Sequence, residues 1–286
     1  MPAVILADPR LIGLSRFQAP QACLFDRRSQ MSCPQADTGN ILLNTMAPSD
    51  YAMLEPHFQR IALPVRLQLH EAKRKIDKVY FPEDGIVSIV AVTLDGDQCE
   101  VGLFGREGMS ETATVMGTDH SPHEAYVQAI GISALKLPTS VLDDAMNRSA
   151  TLRLHLLKYV QAMVIQLSSS IAAAGQTIEQ RLARWLLMCH DRVDDNELPL
   201  THDFIGMMLG VRRSGVTEAM IDLSGRHLIE TKRAKIIIAD RPGLELIAAG
   251  GYGLAEAEYE RLVGVALRRS STGARRAIIQ GRSAAK

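Results

Sequence analysis

The sequence predicts an α+β chain: a small antiparallel barrel or sandwich of short strands, a long helix, and a helix-turn-helix with a wing towards the C-terminal end. Three observations carry this. Short apolar runs between about 63 and 137 are separated by Gly and Asp turns. An apolar seam steps by fours and threes from Leu152 to Ile171. Between His202 and Leu223, small and apolar residues fall where two helices crossing through a tight turn require them.

Composition bounds the function. With 286 residues, 47% apolar and 22% charged, the chain can supply two globular domains with a core each. The longest membrane-like run, 159–174, is broken by Gln161, Gln166 and Ser168 to Ser170. Residues 1–14 lack a basic start and carry Asp8-Pro9, which argues against a secretory signal and for a cytoplasmic protein. Net charge is zero, with a mild basic excess after Thr177, so charge alone does not point to nucleic acid. Cys23, Cys33, Cys99 and Cys189 form no C-x-x-C pair, and reduced structural thiols are expected. No phosphate loop, dinucleotide fingerprint, zinc-ligand pair or nucleophile motif is present, so no catalytic residue, metal or cofactor is expected.

The elements follow in order. Residues 1–39 mix Pro, Gln, Ser and Arg without a period and read as an extension. A short helix follows, capped by Ser49 or Asp50, with Met53, Leu54 and Phe58 on one face. From about Leu63 the period becomes two, with Val65, Leu67 and Leu69 alternating against polar residues. Further strands are expected at 78–81, 86–92, 99–104, 125–129 and 133–137, closing a domain over 40–148. A helix over 149–175 is apolar on two sides, so it needs two neighbours. Leu152, Leu156, Val160, Met163 and Leu167 are the expected seam with a second copy, and Leu157 and Val164 form the other stripe. Gly175 is a candidate hinge before a domain over 176–264.

Within that domain Thr201 can cap a helix, with Asp203 in its first turn. Gly206 allows two helices to cross closely, and Gly210 suits the positive φ of the turn. Leu209, Val211, Val216 and Ala219 face inward. The outer face then presents Arg212, Arg213, Ser214, Thr217, Glu218 and Ile221, a surface of the size that enters a major groove. Two strands, 228–231 and 235–238, follow. Lys232, Arg233 and Lys235 at their junction form a wing tip suited to backbone phosphates. These features point to double-stranded DNA as partner, with Thr201 and the polar outer-face and wing residues as the contact set.

In this order, the barrel, long helix, hinge, helix-turn-helix and wing resemble the Crp/Fnr family of transcription regulators. The likeness covers roughly 40–264 and is most specific over 200–223. It implies a jelly-roll-like, cyclic-nucleotide-binding-like β-roll as sensor, a dimerisation helix and a winged helix reading a palindromic operator. It also implies contact with RNA polymerase if the protein activates. Two departures are expected to matter. Cyclic-AMP-responsive members hold the ligand phosphate with Arg followed by Ser or Thr, and here His123 and Glu124 stand there. Imidazole is a poor substitute for guanidinium and a carboxylate repels a phosphodiester, so no cyclic-AMP response is expected. Arg213 occupies the place of the guanine-reading Arg, but Ser214 and Glu218 differ from the Glu and Arg of those members. The cysteines do not match the iron–sulfur branch.

The competing reading is a small-molecule-binding or protein-interaction module that keeps the helix-turn-helix as scaffold. A basic tail over 265–286, with Arg268, Arg269, Arg275, Arg276, Arg282 and Lys286, is expected to be solvated and disordered.

Overall fold

The computed structural model describes residues 33–93, 98–129 and 132–268. The chain opens with helices α1 (Ile41–Asn44) and α2 (Pro48–Leu54). Strands β1 (Gln59–Leu63), β2 (Gln68–His70), β3 (Lys78–Pro82), β4 (Ile86–Val92) and β5 (Gln98–Phe104) follow, then a one-turn helix α3 (Thr112–Val115). Strands β6 (His123–Ala129) and β7 (Ile132–Pro138) complete the roll, and α4 (Thr139–Arg148) leads into the long α5 (Ala150–Ala173). The second half is α6 (Ile178–His190), β8 (Glu197–Leu198), α7 (His202–Leu209), α8 (Arg213–Gly225), β9 (Ile229–Lys232), β10 (Lys235–Ile238), α9 (Arg241–Ala248) and α10 (Leu254–Val263).

Two antiparallel sheets make the roll, in orders β1-β7-β3 and β2-β6-β4-β5. Val79, Phe81, Leu135 and Leu137 of the first share one core with Val87, Phe104, Ala125 and Val127 of the second. This is the α+β, jelly-roll-like fold the sequence predicts. Its first strands differ from expectation. β1 lies at Gln59–Leu63, and Arg66 takes a positive φ of 68° that turns the chain before β2. Val65 and Leu67 are therefore exposed turn residues, since their alternation belongs to a bend and a three-residue strand. Likewise α2 begins at Pro48, whose fixed φ suits a first helical position, and neither Ser49 nor Asp50 caps it.

The long helix corrects the seam. Leu152, Leu156, Val160 and Met163 are buried in the core of this chain's own roll, with Leu167 packed against it. They are not free to meet a second copy. The exposed apolar stripe is Leu154, Leu157, Val164 and Ile171, with Gln161 and Ser168 between them. These six positions step three, four, three, four, three, which is a heptad. The helical stretch is also broken at Ser149, whose side chain accepts a bond from Leu152 N and starts α5 afresh after α4.

A second core gathers α6 to α9 and the sheet β8-β10-β9, around Leu182, Trp185, Leu186, Ile205, Val216, Leu223 and Ile236. Ile86 and Leu103 of the roll belong to it. The buried pair of Arg192 at the end of α6 with Glu107 of the roll also joins the halves, with Nη2 to Oε1 at 2.7 Å. Past α9 the chain returns to the roll. α10 lies along α5, and Tyr259, Val263 and Leu267 are buried in the core of the roll. Tyr259 Oη donates to Glu107 O at 2.7 Å. Arg268 donates to His190 O, and to Val193 O at 2.7 Å, so the start of the basic segment is seated on α6 and the turn after it. The rest of that segment, from Arg269, and residues 1–32 lie outside the described residues.

Candidate nucleic-acid interface

The helix-turn-helix is built by local rules. Thr201 Oγ1 accepts from Phe204 N at 3.3 Å, capping α7, and Asp203 sits in its first turn. Gly210 ends α7 in the left-handed conformation, with φ 62°, where a side chain would be strained. Gly206 is buried at the crossing, where an added Cβ would lie 3.1 Å from Val211 O. Val216, Ala219, Met220 and Leu223 bury the inner face of α8. The opposite face is left to solvent because nothing apolar on it can pair, apart from Ile221.

That face carries the predicted contact set. Arg212 stands at the N-cap of α8 without a side-chain cap, followed by Arg213 and Ser214 in the first turn, and all three are exposed. Two guanidinium groups thus lie at the positive end of the helix dipole, next to free backbone N–H groups, an arrangement that favours an anion. Arg213 Nη1 rests 3.2 Å from Asp203 Oδ1, an exposed pair that water screens. Glu218 is exposed one turn on. Thr217 is half-buried and committed: it donates to Arg213 O at 3.0 Å and pairs with His202 Nδ1 at 3.2 Å.

The wing is a hairpin of β9 and β10 in which Lys232 faces Lys235 across the turn. Arg233 at the tip is exposed and has no ion pair among the described residues. Lys232 Nζ lies 3.9 Å from Glu230, and Lys235 is bonded to Glu197 of β8. Asp203 and Glu197 are thus carboxylates that hold two of the predicted contacts in the free protein. Neither pairing is readable from the sequence, because each joins separate elements.

Sequence reasoning missed a cavity of about 660 Å³ between the two halves. Its walls come from β5, β6 and α3 of the roll, from α5, and from α6 and α7. His123 and Glu124 line it. Glu124 Oε2 accepts from Tyr126 Oη at 2.6 Å and from Gln98 Nε2 at 3.1 Å. Nδ1 of His123 is buried without a partner. Glu100 spans the halves: Oε1 accepts from Trp185 Nε1 at 2.8 Å and Oε2 from Ser88 Oγ at 2.6 Å. Burial pushes its carboxyl up to about 7, against the pull of those two bonds. Glu111, in a left-handed backbone at φ 60°, is also raised to about 7, by burial alone. Burial likewise raises the thiol of Cys189, away from the reactive thiolate.

Residues 180–247, from α6 into α9, match the family model of the Crp-like helix-turn-helix domain. That stretch carries a Crp-like helix-turn-helix domain. Solved structures agree with the fold of this chain over more than that domain. FixK2 from Bradyrhizobium japonicum is 16% identical, covers 68% of this chain and 98% of its own, and has a TM-score of 0.58. A CRP-family transcriptional regulator from Thermus thermophilus is 16% identical over 66% of this chain and 97% of its own, with a TM-score of 0.55. The c-di-GMP-responsive global regulator CLP of Xanthomonas campestris is 12% identical, covers 67% and 99%, and has a TM-score of 0.54. At such identities the likeness is one of fold. No curated protein sequence matches this chain significantly. Among the described residues no helix is long and apolar enough to cross a membrane, and no group of three or more His, Cys, Asp or Glu could hold a metal.

Proposed function

We propose that this chain is a transcription regulator of the Crp/Fnr type that binds a palindromic operator in double-stranded DNA as a homodimer, reading bases with α8 and holding the backbone with the wing. The observation that carries the reading is the exposed first turn of α8, with Arg212, Arg213 and Ser214 at a positive helix end and the basic wing in the same domain. Arg213 suits bidentate contact with guanine O6 and N7, and Ser214 and Glu218 supply the neighbouring contacts. Thr201, Lys232, Arg233 and Lys235 suit phosphates. Thr217 supports the face from behind. Its hydroxyl is already spent on α7 and α8, so it contributes position more than contact.

The exposed heptad of Leu154, Leu157, Val164 and Ile171 is the surface through which a second copy is placed. Two recognition helices would then meet half-sites about one helical turn, ~34 Å, apart. Control by cyclic AMP does not fit, because Glu124 and a half-buried His123 face the cavity where an arginine would have to meet the phosphate. This reading places the protein in the cytoplasm, with RNA polymerase as a further partner if it activates.

Selecting bound sequences from a random DNA pool with the full chain tests it. Enrichment of an inverted repeat is expected. Retention without sequence enrichment, or a single unrepeated half-site, overturns the operator and the dimer together. Calorimetry with cyclic AMP should give no binding heat, and a saturable heat lost on replacing residues 123 and 124 would refute that part.

A further inference from the structure

The exposed stripe of α5 is apolar at both ends and polar in its middle. Leu154, Leu157, Gln161, Val164, Ser168 and Ile171 are all open to solvent. By spacing, Leu154, Gln161 and Ser168 occupy one core position of successive heptads, and Leu157, Val164 and Ile171 the other. In a parallel, in-register pair each core position meets its own counterpart, so Gln161 meets the same residue of the second copy.

The two polar residues differ. Ser168 Oγ donates to Val164 O at 2.8 Å, one turn back in its own helix, so its hydroxyl is satisfied without a partner. The side chain of Gln161 makes no hydrogen bond among the described residues. Its amide both donates and accepts, which makes it complementary to a second copy of itself. Covered by another helix and left unpaired, it bears the full cost of losing water. Antiparallel pairing sets one core position against the other, so Gln161 would face Val164 or another apolar side chain. A parallel slip of one heptad sets one copy's Gln161 against Leu154 and breaks the amide pair. Charge cannot make the choice instead. Arg153 and Lys158 are the only Lys, Arg, Asp or Glu residues of α5, so no carboxylate is there to pair across the seam. Arg153 is turned back onto its own chain, donating to Met146 O at 2.7 Å.

We propose that Gln161 fixes the homodimer as parallel and in register, by pairing its amide with the same amide of a second copy. The inference rests on the homodimer reading above and names the residue that gives that surface its specificity. Reading a palindrome requires the choice. The winged helix follows the C-terminal end of α5, and α5 has 24 residues, ~36 Å of helix. Parallel pairing brings both recognition helices to one end, about a two-fold axis, where a single duplex can meet them. Antiparallel pairing sends them to opposite ends.

Cross-linking of full-length chains tests it. Leu154→Cys and Ile171→Cys chains are mixed, oxidised and digested, and the joined peptides are identified by mass. Parallel, in-register helices join position 154 to 154 and 171 to 171, whereas antiparallel helices join 154 to 171. With Gln161 present, like-with-like products should exceed the mixed product by at least about tenfold. Gln161→Leu removes the lone-amide cost from every alternative, so that ratio should fall about tenfold. The same variant should tighten the dimer, read by light scattering over a dilution series, yet weaken gel-shift binding to the selected inverted repeat. A residue that merely held the fold would move both in one direction. Gln161→Asn, a shorter amide that also pairs with itself, should restore the preference. Because Gln161 is exposed, none of these variants disturbs the core of the chain.

An unchanged ratio in Gln161→Leu, or a dominant mixed product with Gln161 present, overturns this inference and leaves the homodimer standing. A chain that stays monomeric through the dilution series and forms neither product refutes the homodimer reading, and this inference with it.

Discussion

Arg213 is held 3.2 Å from Asp203, and on the proposed reading face that carboxylate would be exchanged for a base edge or phosphate. Replacing Arg213 by Ala should weaken operator binding by about 1–3 kcal/mol and relax preference at one base pair per half-site, read by binding to a panel of single-base operator variants. Asp203→Asn should act in the opposite direction on overall affinity, because it frees Arg213 and removes a charge facing phosphate. Unchanged affinity in both variants would remove Arg213 from the reading face. Glu100 makes a different residue-scale prediction. Its ordinary value is 4.5 and its folded value about 7, so the folded chain keeps a proton that the unfolded chain has lost in that window. Stability contributed by this group therefore falls as pH rises from about 4.5 to about 7. Glu100→Gln keeps an acceptor for Trp185 and removes the ionisation, so the drop in unfolding free energy between about pH 5 and pH 8 should shrink. It should not vanish, because Glu111 titrates over the same range. A slope identical to wild type in urea melts would refute the assignment.

Among the elements, α5 shows where sequence reasoning reaches its limit. Both apolar stripes are visible in the sequence, and each has coiled-coil spacing. Which one turns inward is decided by the roll, whose core accepts Leu152, Leu156, Tyr159 and Met163 together, and by α10 lying along the same helix. No local signal encodes that choice. The helix-turn-helix was readable for the opposite reason. Thr201, Gly206 and Gly210 each answer a constraint set within a few residues, so cap, crossing and turn could be placed before any tertiary contact was known. β1 carries no alternation, with exposed Gln59 and Arg60 ahead of buried Leu63, and stayed hidden. The cavity and the Glu100 bridge join residues far apart in sequence, so they too were invisible. The two stripes can be told apart by measurement. Val164→Asp should shift the mass measured by light scattering towards the monomer while the melting temperature of the roll holds. Leu156→Ala should instead cost about 2–5 kcal/mol of stability through the cavity it leaves. The wing makes a salt-dependent prediction: removing Lys232 and Arg233 together should reduce the slope of log affinity against log salt by about two per subunit, or about four for the dimer on its operator. A slope that stays the same would assign these cations to solvent.

At the scale of the whole molecule, the halves are fastened at several points. Trp185 bonds Glu100, Arg192 is buried on Glu107, and Ile86 and Leu103 of the roll sit in the core of the winged helix. Removing one member of the Arg192–Glu107 pair leaves the other charge buried alone. Glu107→Ala should therefore cost about 3–5 kcal/mol, more than an exposed pair such as Arg261–Glu258 could supply. Tyr259 tests the fastening from the C-terminal side. Tyr259→Ala should destabilise the chain by about 3–5 kcal/mol, with hydrogen-exchange protection lost first around Glu107 and α5. Protection lost only within 180–250 would show that α10 belongs to the DNA-binding half.

The return of α10 to the roll also bears on how such a protein can be recombined. Residues 180–247 match a family unit, yet the chain that follows them completes the hydrophobic interior of the preceding domain with Tyr259, Val263 and Leu267. The order along the chain is thus roll, winged helix, roll. A winged helix cut out together with the chain that follows it would leave the roll with an uncovered apolar gap. Exchange of parts with this protein has to carry residues up to Arg268 and the surface of α5 that receives them. What is modular in sequence is here a single interlocked body.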